Sequence, residues 1–354
     1  MQHSTKPFTP TGKITVVTDT ASLTPPSDSV WKKELSNAVT SVAELLEKLD
    51  LSHRLDTTNL RPDFPCLATE NYINKMQVGD FNDPLLQQVL PLDAEVHSPK
   101  QQKGIFDPVG DVNAIASQGL LHKYHGRALL ITTGACAIHC RYCFRQHYPY
   151  QQASISNKTL ADTLHYLNKH HEIEEIILSG GDPLVLDNEK LSHLINNLES
   201  IEHLRTLRIH TRLPVVLPSR INDGLLTLLK SSRFQIVMVI HANHANELHE
   251  LEKNKLGRLQ QAGVLLLNQS VLLKGINDTT DRLVNLSKRL FACHTLPYYL
   301  HLLDPVKGAM HFEVTKQKAL LLKHEIEEKL PGYLVPRLVQ EIAGNQSKTA
   351  IFRI

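Results

Sequence analysis

A parallel sheet backed by helices and curled into a partial (β/α)6 barrel is the fold that this α/β sequence predicts. Six short apolar runs recur beyond the first third of the chain, at residues 128–132, 175–178, 207–210, 235–240, 264–267 and 298–302. Amphipathic stretches separate them: Leu160, Leu164 and Leu167 share one helical face, as do Leu191, Leu194, Ile195 and Leu198. Strands that alternate with helices pair in parallel through right-handed crossovers. Six units over about 185 residues fall short of the roughly 250 that a closed TIM barrel uses, so an open barrel of TIM type is expected.

The elements follow in order. Residues 1 to about 30 are polar, contain "TPPSDS" and read as a loose lead-in. From Trp31 to about Leu49, the residues Leu35, Val39, Val42, Leu45 and Leu46 recur at helical spacing. Residues 51–105 are punctuated by proline ("LRPDFPC", "FNDPLL", "VLPLDAEV") and predict short helices joined by loops, a covering layer. The chain thus divides into a mostly helical region at 1–105, a barrel at 106–310, and a closing helix with a short tail at 311–354. The closing helix, "KQKALLLKHEIEEKL", stops at Pro331-Gly332.

Composition narrows the function. Lys plus Arg number 38 against 36 Asp plus Glu, so no global field draws in nucleic acid or an anionic membrane. The apolar run at 14–17 is too short for a signal-peptide core, and no 18-residue apolar span occurs. A cytoplasmic chain is expected, in which cysteines stay reduced and clustered ones bind metal.

Three of the five cysteines fall within "ITTGACAIHCRYCF". Cys136, Cys140 and Cys143 form C-x3-C-x2-C directly after the first parallel strand, with Tyr142 before the last cysteine. A [4Fe–4S] cluster takes one thiolate per iron, so three thiolates leave one iron open to a small ligand. The alternative is a Cys3His zinc site with His139 or His147 as the fourth donor. Cys66 and Cys293 stand alone and read as structural. The spacing, the aromatic residue and the position after the first strand resemble the signature of the radical S-adenosylmethionine (SAM) superfamily. The resemblance implies that the open iron chelates SAM, with Tyr142 beside its adenine. "LSGGDPL" follows the second strand, where adjacent glycines let a backbone approach a ligand closely and an aspartate can accept from an amine. It resembles that superfamily's segment for the SAM amino group, which implicates Gly180, Gly181 and Asp182. "RIHTRLPVVLPSRI" follows the third strand in the same way.

Lys348, in "AGNQSKTA", sits in a small, polar setting that reads as strand-free. From "FPCLATENYINKM" through "YHGRALLITTGACAIHCRYCFR", "LNQSVLLKGIND", "YYLHLLD" and "GYLVP", the chain resembles the lysine 2,3-aminomutase family over roughly residues 60–350. In that family the lysine matching Lys348 forms a Schiff base with pyridoxal phosphate (PLP), which needs an amine able to shed its proton in a partly dry pocket. The resemblance gives Arg127 and Gln269 to the PLP phosphate and Arg145 to the substrate carboxylate. It gives Asp304 and Glu341 to the ε-ammonium of L-lysine. A reductant such as flavodoxin or ferredoxin is implied. The free-lysine enzymes carry an aspartate where this chain has Glu341, and a glycine-rich loop where it has "IAGNQSK". "ELLEKLDL" and "RLPVVLPSR" resemble instead the branch that makes (R)-β-lysine for elongation factor P, attached by a lysyl-ligase-like partner. A catabolic free-lysine aminomutase, a PLP-independent radical SAM methylase or activating enzyme, an electron carrier and a zinc-stabilised binding module are the alternatives. A glutamate substrate would be repelled by Asp304 and Glu341.

Overall fold

The computed structural model describes residues 28–58, 63–150, 155 and 157–352; the lead-in read at the N-terminus lies outside them up to residue 27. Ten strands form one sheet in chain order. They are β1 (Ile115–Ser117), β2 (Leu120–Tyr124), β3 (Arg127–Thr133), β4 (Glu175–Gly180), β5 (Thr206–Thr211), β6 (Gln235–Ile240), β7 (Leu265–Val271), β8 (Leu296–His301), β9 (Arg337–Gln340) and β10 (Thr349–Ala350). From β3 to β9 all neighbours pair in parallel. The six expected strands are β3 to β8, and the helices between them take the crossovers. Such strands are covered on both sides, which is why they read as near-continuous apolar runs.

The edges differ from expectation. β1 and β2 add antiparallel strands before the barrel, and β10 adds one after β9. β2 and β3 meet across His125-Gly126, where Gly126 holds φ +79, a hairpin turn that suits glycine. β2 was not legible because His122, Lys123 and Tyr124 break its apolar run. The stretch from Trp31 to Leu49 forms two helices, Ser29–Ser36 and Val42–Lys48. Asn37, Val39, Thr40 and Ser41 are weak helix formers between them, Val39 pairs with Ala68 instead, and Ser41 caps the second helix at Glu44 N.

The described residues of 51–105 include a series of short helical turns, as the prolines there suggest. Leu45, Leu46, Tyr72, Leu85, Leu86 and Leu90 pack in one apolar core with Leu178, Ile209 and Met238 of the barrel strands. Because the strands are parallel, the loops after β3, β4 and β5 gather at one rim. Among the described residues, no helix is long and apolar enough to cross a membrane.

Candidate active site

A cavity of about 330 Å³ lies within this partial barrel, and every residue that the resemblances assign to cluster, cofactor or substrate lines it. Cys136, Cys140, Cys143 and Arg145 come from the loop after β3, and Gly180, Gly181 and Asp182 from the end of β4. Arg127 and Gln269 come from β3 and β7, and Asp304, Glu341 and Lys348 from the segments after β8 and β9. Lys348 is not strand-free: it directly precedes β10, whose Thr349 and Ala350 pair with Gln340 and Val339. A two-residue strand leaves too short a pattern to read.

The glycine pair serves the cysteine loop. A Cβ on Gly180 would lie 2.5 Å from Thr133 O, and one on Gly181 would lie 2.3 Å from Ala135 O. Gly181 N donates to Thr133 O (2.7 Å) and Asp182 N to Ala135 O (2.9 Å), so the loop is clamped on the end of β4. The carboxylate of Asp182 accepts from Leu184 N, Thr211 Oγ1 and Arg212 N at 2.7–3.0 Å. Burial still pushes this carboxyl up to about 6, against those bonds. Burial likewise pushes the Cys143 thiol up to about 12 and that of Cys136 well above its ordinary range. Burial therefore favours the neutral thiols unless a cation stands beside the sulfurs.

The two histidines weighed as a fourth zinc donor each turn one ring nitrogen to a backbone carbonyl. His139 turns Nδ1 to Pro65 O (2.9 Å) and stacks on Phe64, while His147 Nε2 meets Lys307 O (3.1 Å). Among the described residues, no three His, Cys, Asp or Glu side chains converge as a single ion requires. The buried Tyr142 stacks on His241 and its hydroxyl meets His241 Nε2 at 3.0 Å.

A chain of alternating charges runs through the lumen. Arg145 Nε donates to Asp111 Oδ2 (2.7 Å) and Nη1 to Ser179 Oγ (3.0 Å). Lys123 Nζ lies 2.5 Å from Asp111 Oδ1 and 3.6 Å from Glu341 Oε1. Glu341 accepts from Tyr124 OH (2.8 Å), and its other oxygen meets Lys348 Nζ at 2.7 Å. Burial opposes ionisation of Asp111 and Glu341, but the cations Arg145 and Lys123 on the first, and Lys348 and Lys123 on the second, hold both below the usual carboxylate range. Asp304 is the exception. Its Oδ1 is buried without a hydrogen-bond partner, and burial, with Glu341 adding repulsion, pushes its carboxyl up to about 7.

Sequence reasoning missed several lining residues. Asp111, Lys123 and Tyr124 had no motif. Arg208, His210 and Arg212 lie in the quoted "RIHTRLP", where alternation along β5 aims Arg208 and His210 into the cavity. Burial holds His210 neutral, its pKa well below the ordinary value, and its Nε2 has no partner.

The model of the Radical SAM superfamily matches residues 130–286, which include the cysteine loop and the β4 glycines. The "L-lysine 2,3-aminomutase" of Escherichia coli K12 is 41% identical over 93% of this chain and 96% of its own length. That of Haemophilus influenzae Rd is 44% identical over 90% of this chain and 94% of its own. The chain belongs to the L-lysine 2,3-aminomutase family. The "L-lysine 2,3-aminomutase" of Buchnera aphidicola is 40% identical over 91% of this chain and 95% of its own length. Membership makes the chain an isomerase with a radical SAM domain, and its partial barrel suits that domain. As a member of the family, it places the superfamily's cysteine loop and the lumen's chain of charges around one cavity.

Proposed function

We propose that the chain moves the α-amino group of L-lysine to the β-carbon, giving (R)-β-lysine, with a [4Fe–4S] cluster, SAM and PLP as cofactors. The single observation that carries the reading is Asp304, an unpartnered carboxyl in a cavity that also holds a fixed guanidinium, Arg145. An orphaned buried acid needs a cation, and a diamino acid supplies one at the end opposite its carboxylate. Arg145 is oriented by Asp111 and Ser179 before any ligand arrives, which suits it to hold a carboxylate. Glu341 sits beside Asp304 and would share the ε-ammonium.

The residues present fit each cofactor. Three cysteines on a clamped loop suit a cluster with one open iron. Lys348 offers PLP a primary amine in the same cavity as Arg127, Arg208 and Gln269, which supply donors for a phosphate. When bound, the cofactors would supply a carbon-centred radical and an aldehyde through which the substrate's own α-nitrogen can pass between adjacent carbons. The chain holds lysine by both ends, keeps Lys348 next to the carboxylate of Glu341, and lines the lumen with uncharged His210 and His301. The (R)-β-lysine would pass to a lysyl-ligase-like enzyme that modifies elongation factor P in the cytoplasm, with flavodoxin or ferredoxin as electron donor. Support for that branch is the Glu341 carboxylate in place of aspartate, together with "RLPVVLPSR".

Asp304 provides the test. Burial pushes its carboxyl up to about 7, so it is mostly neutral below that pH. The KM for L-lysine is therefore expected to fall about tenfold between pH 6 and pH 8 as the carboxylate forms. Asp304→Asn flattens that profile. It also raises the apoprotein's melting temperature at pH 8, because a carboxyl whose pKa rises on folding weakens the native state as pH climbs through the folded value. L-Norleucine, which lacks the ε-ammonium, is expected to react at least about a hundredfold less well than lysine at pH 8. Equal turnover of the two would overturn the role given to Asp304.

A further inference from the structure

We infer that Arg212, held in place by the buried Glu247, sets the reduction potential of the iron–sulfur cluster through a charged hydrogen bond to Cys140 Sγ; this rests on the cluster reading of the cysteine loop. Arg212 Nη1 donates to Cys140 Sγ at 2.7 Å. Its Nη2 points to Glu247 Oε2 (2.8 Å), Gln88 Oε1 (2.8 Å) and Tyr72 OH (3.1 Å). The guanidinium lies over the rings of Tyr72 and Tyr142. Glu247 is wholly buried, and its Oε1 accepts from Asn243 N (2.7 Å), His244 N (3.0 Å) and Gln88 Nε2 (3.2 Å). The backbone of Arg212 is fixed as well, because its N donates to Asp182, whose own N holds Ala135 of the cysteine loop.

Such a cage fixes the guanidinium with respect to one sulfur. Among the described residues, Cys140 alone of the three loop cysteines receives a side-chain donor on its sulfur. Arg212 also keeps Nε buried without a protein acceptor while lining the cavity, so the group is not used up by the protein.

The physical consequence is directional. Reduction adds one electron, taken from a low-potential one-electron donor of the flavodoxin or ferredoxin class, and takes up no proton. That electron places more negative charge on the cluster and its thiolate ligands. A fixed cation hydrogen-bonded to one of those sulfurs stabilises the reduced form and raises the potential. Only an arginine fork reaches Cys140 and Glu247 at once; a lysine offers a point charge.

The test is a redox titration of the reconstituted protein, followed by electron paramagnetic resonance without SAM and then with it. Removing the arginine alone strands Glu247, so Arg212→Met is made together with Glu247→Gln, and Arg212→Lys and Glu247→Gln are made singly. With iron and sulfide content matched to the wild type, the double variant is expected to show at least a tenfold lower ratio of reduced to oxidised cluster at the wild-type midpoint. That corresponds to about 59 mV or more for one electron. Arg212→Lys is expected to fall between the two, with altered g-values before SAM is added. A wild-type midpoint in the loaded double variant overturns the inference. If the double variant does not fold, wild-type midpoints in both single variants overturn it equally. A shift that appears only after SAM binds also overturns it, since the guanidinium would then serve the co-substrate and not Cys140. Failure of the wild type to hold iron would instead sink the reading of the cysteine loop.

Discussion

Lys348→Ala is expected to lower β-lysine formation by on the order of 10³-fold or more while leaving SAM cleavage measurable. Lys348 is the amine that the proposed scheme gives to PLP, so its loss removes the covalent link that positions the cofactor. The substitution should not unfold the chain. Glu341 loses its contact with Lys348 but keeps Tyr124 at 2.8 Å and Lys123 at 3.6 Å. Protein absorbance in the visible region after incubation with PLP measures the link directly, and the variant should lack the band of the lysine-bound cofactor. Added ethylamine should restore part of the turnover. A variant that makes β-lysine at the wild-type rate would remove Lys348 from the mechanism and leave a PLP-independent radical enzyme.

Cys140→Ala carries the second large effect. Three thiolates hold three irons, and the loss of one leaves the cluster with two. Iron content is expected to fall to a small fraction of the wild-type value, and SAM cleavage to background. Cys136→Ala and Cys143→Ala should behave alike, because all three sulfurs line the same cavity. Cys66→Ala and Cys293→Ala serve as controls. Both thiols are buried in the apolar core, and burial pushes each up to about 11. Their replacement should cost roughly 1 kcal/mol of stability and no iron.

The barrel was legible because its parallel strands are covered on both faces: β6 follows its apolar run residue for residue, and β3 and β5 differ from theirs by one residue at each end. The edges were not. β9 and β10 are short, and β2 mixes His122, Lys123 and Tyr124 into an apolar start. The site was legible where chemistry demands a spacing, as in Cys136, Cys140 and Cys143. For Arg127, Gln269, Asp304, Glu341 and Lys348, no local pattern distinguishes them from polar surface residues, and only a likeness spread over roughly residues 60–350 brought them forward. Lys123 and Asp111 show the remaining gap. Their importance lies in joining Arg145 to Glu341 across the lumen, a relation between strands and loops far apart in sequence. Gly180 and Gly181 were read as letting a backbone approach a ligand closely; they also admit the backbone of Thr133 at the end of β3 and of Ala135 in the cysteine loop.

The central claim is migration of the α-amino group within L-lysine, and its most direct measurement is anaerobic. The chain is reconstituted with iron, sulfide and PLP, supplied with SAM and a low-potential reductant, and given L-lysine labelled with ¹⁵N at the α position. Chromatography and mass spectrometry are expected to find β-lysine with the label on Cβ, of (R) configuration against chiral standards. SAM cleavage by a fully loaded cluster without any β-lysine would contradict the claim, and would place the error in the lysine pocket around Asp304 and Glu341.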